Sequence, residues 1–157
     1  WLCCAYNPPS STRHVRRNTR HRSYTVYSQR RRHLREKGVF TDPCAYFVQQ
    51  LIKQLLEWKK NGDNIILVGD FNEDVYTGVL AERLGEDDLL MTCQFQKINN
   101  QQLPNSHESG HKPLMAVFAT EGIDCTNAYA GAHGANVGDH PLLILDFFAP
   151  SILGTHL

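Results

Sequence analysis

Two short polar clusters in this sequence combine the side chains that phosphoester hydrolysis requires. Asp70 and Asn72 lie in the tetrapeptide GDFN, and Asp139 and His140 lie in the tripeptide GDH near the C-terminal end. A carboxylate can orient or deprotonate water, an amide can hold that carboxylate, and an imidazole can meet charge on a phosphoryl oxygen. Asp139 is expected to orient His140 or to bind a hard cation, and such oxygen ligands favour Mg²⁺ or Mn²⁺ over zinc.

Each cluster taken alone also has an ordinary structural explanation. Gly, Asp and Asn are common turn formers, and neighbouring Asp and His side chains are usually structural or solvated. Both clusters, however, adjoin apolar runs typical of buried strands, at 65–68 and 141–148. Ligands commonly bind where the strands of an open α/β sheet end. The conjunction therefore predicts that the four residues meet at one sheet edge.

An amphipathic helix is predicted over about 43–60, directly before the first of these strands. Asp42 can cap this helix, Pro43 suits its first turn, and Gly62 can terminate it. Apolar side chains recur there at three- and four-residue spacing, which indicates a stripe facing the core. The residues of this stripe are Phe47, Val48, Leu51, Ile52 and Leu55.

The other predicted elements complete an α/β domain in which helices cover a sheet. They are a buried strand at 1–6, a short helix near 77–84, weak strand signals at 89–95 and a clearer strand at 114–119. One domain is expected over 1–148, with residues 149–157 as a tail.

A formal net charge of zero conceals a division of charge along the chain. Residues 1–37 contain ten of the 16 Lys and Arg and one acid, a net charge of +9, whereas residues 38–157 carry −9. We expect a basic loop at about 10–41, with at most a brief extended piece at Tyr24, Val26 and Tyr27. Such asymmetry indicates a polyanionic partner, and the candidate phosphate contacts are Arg30, Arg31 and Arg32.

The cysteines and the hydropathy pattern narrow the class of protein further. The five cysteines are odd in number and lack the paired spacing of a structural zinc site. No apolar run approaches the roughly 20 residues of a membrane-spanning helix. We expect an intracellular protein without a membrane partner, in a reducing compartment and with the nucleus as one candidate location. The sequence predicts no oligomeric state.

Four landmarks, in the same order, resemble the endonuclease/exonuclease/phosphatase superfamily. This group includes exonuclease III-like apurinic endonucleases and the endonucleases of non-LTR retrotransposons. The landmarks are AYNP at 5–8, like the family's Y-x-P element; GDFN at 69–72; the strand at 112–119, like its penultimate strand; and GDH at 138–140, like its terminal SDH. The resemblance implies a partial four-layered α/β sandwich and a metal-dependent endonuclease acting on nucleic acid, with DNA favoured over RNA.

The resemblance also implies a role for each candidate site residue. Asp70 would act on the attacking water with support from Asn72, and His140 would contact the scissile phosphate. Asp139 would pair with His140 or with Mg²⁺ or Mn²⁺, and the implied metal ligands are Asp70, Asn72 and Asp139. Tyr6 would lie near the phosphate, although an ordinary aromatic residue closing a strand explains it equally well.

This sequence departs from the family pattern in two ways. Family members supply an Asn and a metal-binding Glu before the strand that opens this chain, so we expect a fragment lacking the N-terminal half. In addition, Met115 stands where many members carry a site carboxylate, and Asp124 is a candidate substitute nine residues later. Ser106 and His107 resemble a Thr-His pair of retroelement-like members, although a solvated loop explains them as well.

Three functions remain open from the sequence. The first is an active nuclease, the second is a degenerate, non-catalytic relative that binds nucleic acid, and the third is a phosphatase of the same superfamily. Met115 and the missing half favour the second, whereas the four retained polar residues favour the first.

Overall fold

The computed structural model describes residues 1–7, 9, 26–86, 88–100, 102–107, 110–133 and 140–153. The helices are α1 (Val26–Glu36), α2 (Pro43–Lys60), α3 (Val79–Gly85), α4 (Gln94–Asn99) and α5 (Ala149–Leu153). The strands are β1 (Leu2–Tyr6), β2 (Ile66–Asp70), β3 (Thr92–Cys93), β4 (Met115–Ala119), β5 (Cys125–Ala130) and β6 (Leu143–Phe147). The predicted α/β class is confirmed.

The main sheet has four strands in the order β1-β2-β4-β3. β1 is parallel to β2, while β4 is antiparallel to both β2 and β3. The central position predicted for the strand before GDFN is therefore confirmed. The prediction that the first strand is buried is wrong, because β1 lies at the edge of the sheet formed by the described strands and its side chains alternate between exposed and half-buried.

Helix α2 follows the prediction closely. The Asp42 carboxylate accepts hydrogen bonds from the backbone N–H groups of Cys44 and Ala45, so it caps the first turn as expected. Val48, Ile52 and Leu55 are buried. The helix ends at Asn61, and Gly62 adopts a positive φ of 85° that a residue without a Cβ adopts easily.

The two faces of the main sheet pack against different layers. On one face, Leu67 and Phe71 form a core with the buried side chains of α2 and α3. On the other face, Ile66 and Ala119 pack with Phe147 of a second, two-stranded sheet of β5 and β6, which also contributes Ala128 to the first core. Successive strand residues point to opposite faces, so Asp70 lies on the face that carries Ile66.

Several elements differ from the predicted ones. Helix α1 occupies the second part of the expected basic loop, because Leu34 packs into the core as the buried residue of an otherwise polar helix. The strand signal at 89–95 gives only the two residues of β3 before α4 begins. Strand β5 was not predicted, and the expected tail begins with helix α5. Tyr24 lies outside the described residues, and Val26 and Tyr27 are helical rather than extended.

Candidate functional site

The candidate site is built at the end of the main sheet where β1 and β2 finish and β4 begins. Asp70 is the Cα partner of Tyr6 on one side and of Met115 on the other. Cross-strand neighbours place their Cβ atoms about 4.5–5.5 Å apart on the same face. Tyr6 is exposed, while Asp70 and Met115 are half-buried. The Asp70 carboxylate is thus flanked by a phenol and a thioether.

Hydrogen bonds tie the start of the loop that follows Asp70 to the Asp70 carboxylate and to the end of β1. Asn72 has a positive φ of 52°, a conformation that Asn tolerates better than most residues. Its backbone N–H donates to Asp70 Oδ1 (3.1 Å), and its side-chain Nδ2 donates to the Asn7 carbonyl (2.6 Å). The Asn7 N–H donates in turn to the Asp70 carbonyl (3.0 Å). These bonds fix both predicted site residues against the end of β1.

Gly69 and Phe71 explain why the GDFN segment has this composition. A Cβ atom on residue 69 would lie 2.2 Å from the Ala5 carbonyl oxygen, so only glycine permits this approach of β1 to β2. Gly69 itself lies within β2, before the turn that follows Asp70. Phe71 is 1% exposed and packs against Phe118, which leaves Asp70 on the opposite face.

Met115 is positioned by a buried serine that the sequence did not identify as structural. Ser106 Oγ accepts hydrogen bonds from the backbone N–H groups of Leu114 (2.6 Å) and Met115 (3.0 Å), and Ser106 is 1% exposed. Buried N–H groups need such partners. Ser106 therefore fixes the first residue of β4 beside Asp70, whereas its neighbour His107 is exposed.

Asp139 lies outside the described residues, but the fold limits where His140 can lie. We expected all four polar residues to meet at one sheet edge, whereas strand β6, which follows His140, belongs to the second sheet and not to the sheet of Asp70. That sheet packs on the face from which Asp70 projects. The C-terminal end of β6 is held near the start of β2, where Phe148 N–H donates to the Asp124 carbonyl. His140 therefore lies before the other end of β6, and its position relative to Asp70 stays a prediction.

Asp124 lies at the wrong end of the sheet to replace a carboxylate at Met115. Strand β4 runs from Met115 beside Asp70 to Ala119 beside Ile66, at the start of β2. Asp124 follows this strand and hydrogen-bonds through its backbone to Ser151 and Phe148. It is therefore not a substitute for the carboxylate expected at position 115.

A cavity of about 240 Å³ adjoins the loop of Asn72 and is bordered by the first turns of α2. Its lining includes Asn7, Cys44 and Glu73. The Glu73 carboxylate accepts a hydrogen bond from the Leu80 N–H (3.2 Å) at the start of α3. Burial is the main cause that raises the pKa of Glu73 above its ordinary value, so this group binds a proton more readily than an exposed glutamate.

The described residues supply only part of a divalent-cation site. Asp70 and Asn72 are oxygen-donor residues of the kind that Mg²⁺ prefers. Within the described ranges, however, no group of three His, Cys, Asp and Glu side chains is arranged to hold a metal. Met115 occupies the position beside Asp70 where a further carboxylate was expected. The set is therefore chemically suited to a hard cation but incomplete in the part of the chain described.

The arginines predicted to contact phosphate lie on helix α1 rather than in a loop. Arg30 is half-buried beside α2, while Arg31 and Arg32 are exposed. Arg32 pairs with Glu36 one turn later at 3.7 Å, in an exposed ion pair that contributes little to stability. Arg35 also lies on α1, and the five arginines of the basic segment at positions 13–22 lie outside the described residues.

Comparisons with known proteins inform on the fold. No family model matches this chain, and no curated protein matches it significantly. Among solved structures, the human Nocturnin catalytic domain with bound sulfate anion matches with a TM-score of 0.53 and 13% sequence identity. The match covers 67% of this chain and 41% of the Nocturnin chain, so this chain spans less than half of that domain. At this identity, the likeness shows only that the α/β fold of this chain resembles that of the Nocturnin catalytic domain.

None of the helices in the part of the chain that the structure describes is long and apolar enough to cross a membrane.

Proposed function

We propose that this chain carries part of a phosphoester-hydrolysing site that acts on nucleic acid. The observation that carries the proposal is the setting of Asp70, whose carboxylate lies at the end of strand β2, next to a loop that Asn7 and Asn72 fix in place. Positioned groups of this kind contribute to catalysis because they need no reorganisation during the reaction. The endonuclease/exonuclease/phosphatase-type fold supports the same class of chemistry.

In this proposal, Asp70 orients the attacking water and accepts its proton. Asn72 supports Asp70 through the backbone hydrogen bond to Oδ1, which leaves the second carboxylate oxygen to face the water. His140 contacts the scissile phosphate, Asp139 orients His140, and Tyr6 lies beside the phosphate. These last three roles follow from the family resemblance.

The proposed cofactor is Mg²⁺ or Mn²⁺. Asp70, Asn72 and Asp139 would hold it, because carboxylate and amide oxygens are hard ligands. When bound, the ion would supply positive charge that stabilises the phosphoryl oxygens. The orientation of the water, the acceptance of its proton and the contact with the phosphate are assigned to the side chains described above.

The proposed substrate class follows from charge. Helix α1 carries Arg30, Arg31, Arg32 and Arg35, and Glu36 is the one acidic residue of this helix. Arginine contacts to phosphate release condensed counterions and supply affinity for any sequence. Nucleic acid fits this surface, and the retroelement resemblance favours DNA over RNA. The matched Nocturnin structure itself contains a bound sulfate, an anion that resembles phosphate in charge and shape.

A second candidate function is a binding protein without catalysis, and Met115 favours it. The thioether beside Asp70 can neither bind a hard cation nor accept a strong hydrogen bond. Such a chain would retain the basic helix and bind nucleic acid without cleaving it.

Cleavage of a labelled oligonucleotide separates the two candidates. Single-stranded and double-stranded DNA and RNA are incubated with the chain in Mg²⁺ or Mn²⁺, and products are resolved by gel. We expect Asp70→Asn to lower the cleavage rate by about 10²-fold or more, as expected when a positioned acid–base group is removed. Asp124→Asn is the matched control, because it makes the same change at the opposite end of the sheet.

Cleavage that is equally sensitive to both substitutions, or insensitive to both, would contradict the proposed role of Asp70. Binding without cleavage in every metal and with every substrate would favour the second candidate.

A further inference from the structure

A groove between helices α1 and α2 combines an aromatic surface with a basic rim. It encloses about 250 Å³, and its lining includes Leu34, Phe47, Arg30, His33 and Gln50. Leu34 and Arg30 are four residues apart and share one face of α1. The groove therefore has an apolar floor and hydrogen-bond donors at its opening.

The guanidinium group of Arg30 lies over the Phe47 ring at the edge of this groove. The guanidinium carbon of Arg30 lies 5.8 Å from the centre of the Phe47 ring, within the range of a cation–π interaction. Unpaired nucleobases stack on both kinds of surface, aromatic rings and arginine planes. Drug-sized ligands occupy sites of roughly 300–1,000 Å³. The smaller volume here suits a single ring system.

The groove lies close to the candidate site because both adjoin the start of α2. Pro43 and Phe47 line the groove, while Cys44 and Val48 line the cavity beside Asn72. The Cys44 thiol lies within electrostatic range of both regions. Its pKa is raised mainly by burial, and among the smaller influences the charge of Arg30 lowers it and that of Glu73 raises it. Only the first turns of α2 therefore separate the groove from the site.

We propose that this groove binds one unpaired base of a nucleic-acid strand whose backbone runs along α1. The base would displace the Arg30 guanidinium from the Phe47 ring and stack there, with Arg30 then bordering it and with His33 and Gln50 as donors to its edge or to the adjacent phosphate. The inference rests on the nucleic-acid substrate of the proposed function, but it does not require that the chain cleaves that substrate. It adds a preference for single-stranded or locally unpaired nucleic acid over a regular duplex.

The test compares a labelled single-stranded oligonucleotide with a tetrahydrofuran oligomer that has the same phosphates and no bases. Binding is measured by fluorescence anisotropy with EDTA present, so that no cleavage occurs. We expect the intact chain to bind the base-containing strand more tightly. Phe47→Leu should weaken that binding by about 5- to 150-fold, the effect of removing one base–aromatic stack, and should leave binding of the tetrahydrofuran oligomer unchanged.

Matched substitutions on the same chain control for non-specific effects. Phe40 is 84% exposed and lines a different cavity, so Phe40→Leu should leave both affinities unchanged. Phe47→Tyr keeps the ring and should keep base-dependent binding. Arg30→Gln should weaken binding of the base-containing strand more than Arg32→Gln does, because Arg32 pairs with Glu36 outside the groove. Thermal melting of each variant verifies folding. If Phe47→Leu does not fold, the comparison of Arg30→Gln with Arg32→Gln tests whether the groove binds a base.

Equal affinity of the intact chain for the two oligomers would overturn the proposal and leave a surface that binds only phosphates. Base-dependent binding without cleavage would retain the groove and contradict the proposed hydrolysis. Asp70-dependent cleavage without base-dependent binding would retain the hydrolysis and contradict the groove.

Discussion

Met115 is the residue that most limits what Asp70 can do. The two residues are direct partners on neighbouring strands, and Ser106 fixes the backbone of Met115 there. Position 115, where the family resemblance led us to expect a site carboxylate, lies beside Asp70 and carries an apolar side chain. A carboxylate at this position would bring a second oxygen ligand to the face of the sheet that carries Asp70.

We predict that Met115→Asp lowers the melting temperature without divalent cations and that Mg²⁺ or Mn²⁺ restores it. Like charges directly opposite each other on paired strands cost about 0.2–1 kcal/mol, and desolvation of the half-buried carboxylate adds to this. A cation bound between the carboxylates would remove the repulsion and stabilise the folded state by mass action. Differential scanning fluorimetry with a metal titration measures both effects, and metal-dependent cleavage should also rise.

Met115→Asn provides the control for this experiment, since it has the same shape and no charge. It should show a much smaller response to cations than Met115→Asp. Equal responses in the two variants would mean that the side chain at 115 does not share a cation with Asp70.

Strand β2 delivers Asp70 to the site only because β1 approaches it closely at Gly69. We predict that Gly69→Ala destabilises the protein by about 1–3 kcal/mol or more, because its Cβ would overlap the Ala5 carbonyl at 2.2 Å and the backbone would have to move. Urea denaturation followed by circular dichroism measures the decrease in stability. The cleavage rate should also fall, because the same backbone displacement moves Asp70 away from Tyr6.

Gly85→Ala makes the same chemical change where nothing lies within 4 Å of the new Cβ, at the end of α3. It should be neutral or stabilise by about 0.5–1 kcal/mol, because alanine loses less backbone entropy in a helix. A decrease in stability at residue 85 comparable to that at residue 69 would show that the close strand approach is not the cause.

Elements with local signals were predictable from the sequence, and elements that depend on distant contacts were not. Helix α2 has a cap, a proline in its first turn and an apolar stripe, so its bounds followed from residues 42–62 alone. Helix α1 has Leu34 as its buried residue and so lacks apolar periodicity. Strand β5 exposes Thr126 and Asn127 side by side, which breaks the alternation that indicates a strand.

The same distinction applies to the site. GDFN stood out because its residue types suit both chemistry and a turn after an apolar strand. The supporting contacts of Asn7 and Ser106 were missed, because each joins segments that are distant in sequence: Asn7 bonds Asn72, and Ser106 bonds the start of β4. Pairing of Asp70 with Met115 likewise depends on the register of β2 against β4, which no local pattern fixes.

At the scale of the whole molecule, charge is concentrated in the N-terminal part of the chain. Residues 1–37 carry +9 and the remainder carries −9. The described portion of the basic part is α1, which packs on α2 near the candidate site. An anionic strand would therefore be attracted to one side of the molecule and repelled by the acidic remainder, a distribution that orients it before any specific interaction forms.

We predict that nucleic-acid affinity falls linearly with salt on logarithmic axes, and that replacing Arg30, Arg31 and Arg32 by Ala makes this dependence shallower. Removing one arginine–phosphate interaction should reduce the slope by about 0.7 for a single strand and about 0.9 for a duplex. Anisotropy titrations at several salt concentrations give the slopes.

The control replaces Lys53, Lys59 and Lys60 of α2, which removes the same charge from a helix whose last turn contains two of these residues. A local interface requires a larger reduction in slope for the arginine variant than for the lysine variant. Equal reductions in slope would mean that net charge, and not the surface of α1, governs binding. Unchanged slopes in both variants would mean that the arginines are solvated residues without a role in nucleic-acid binding.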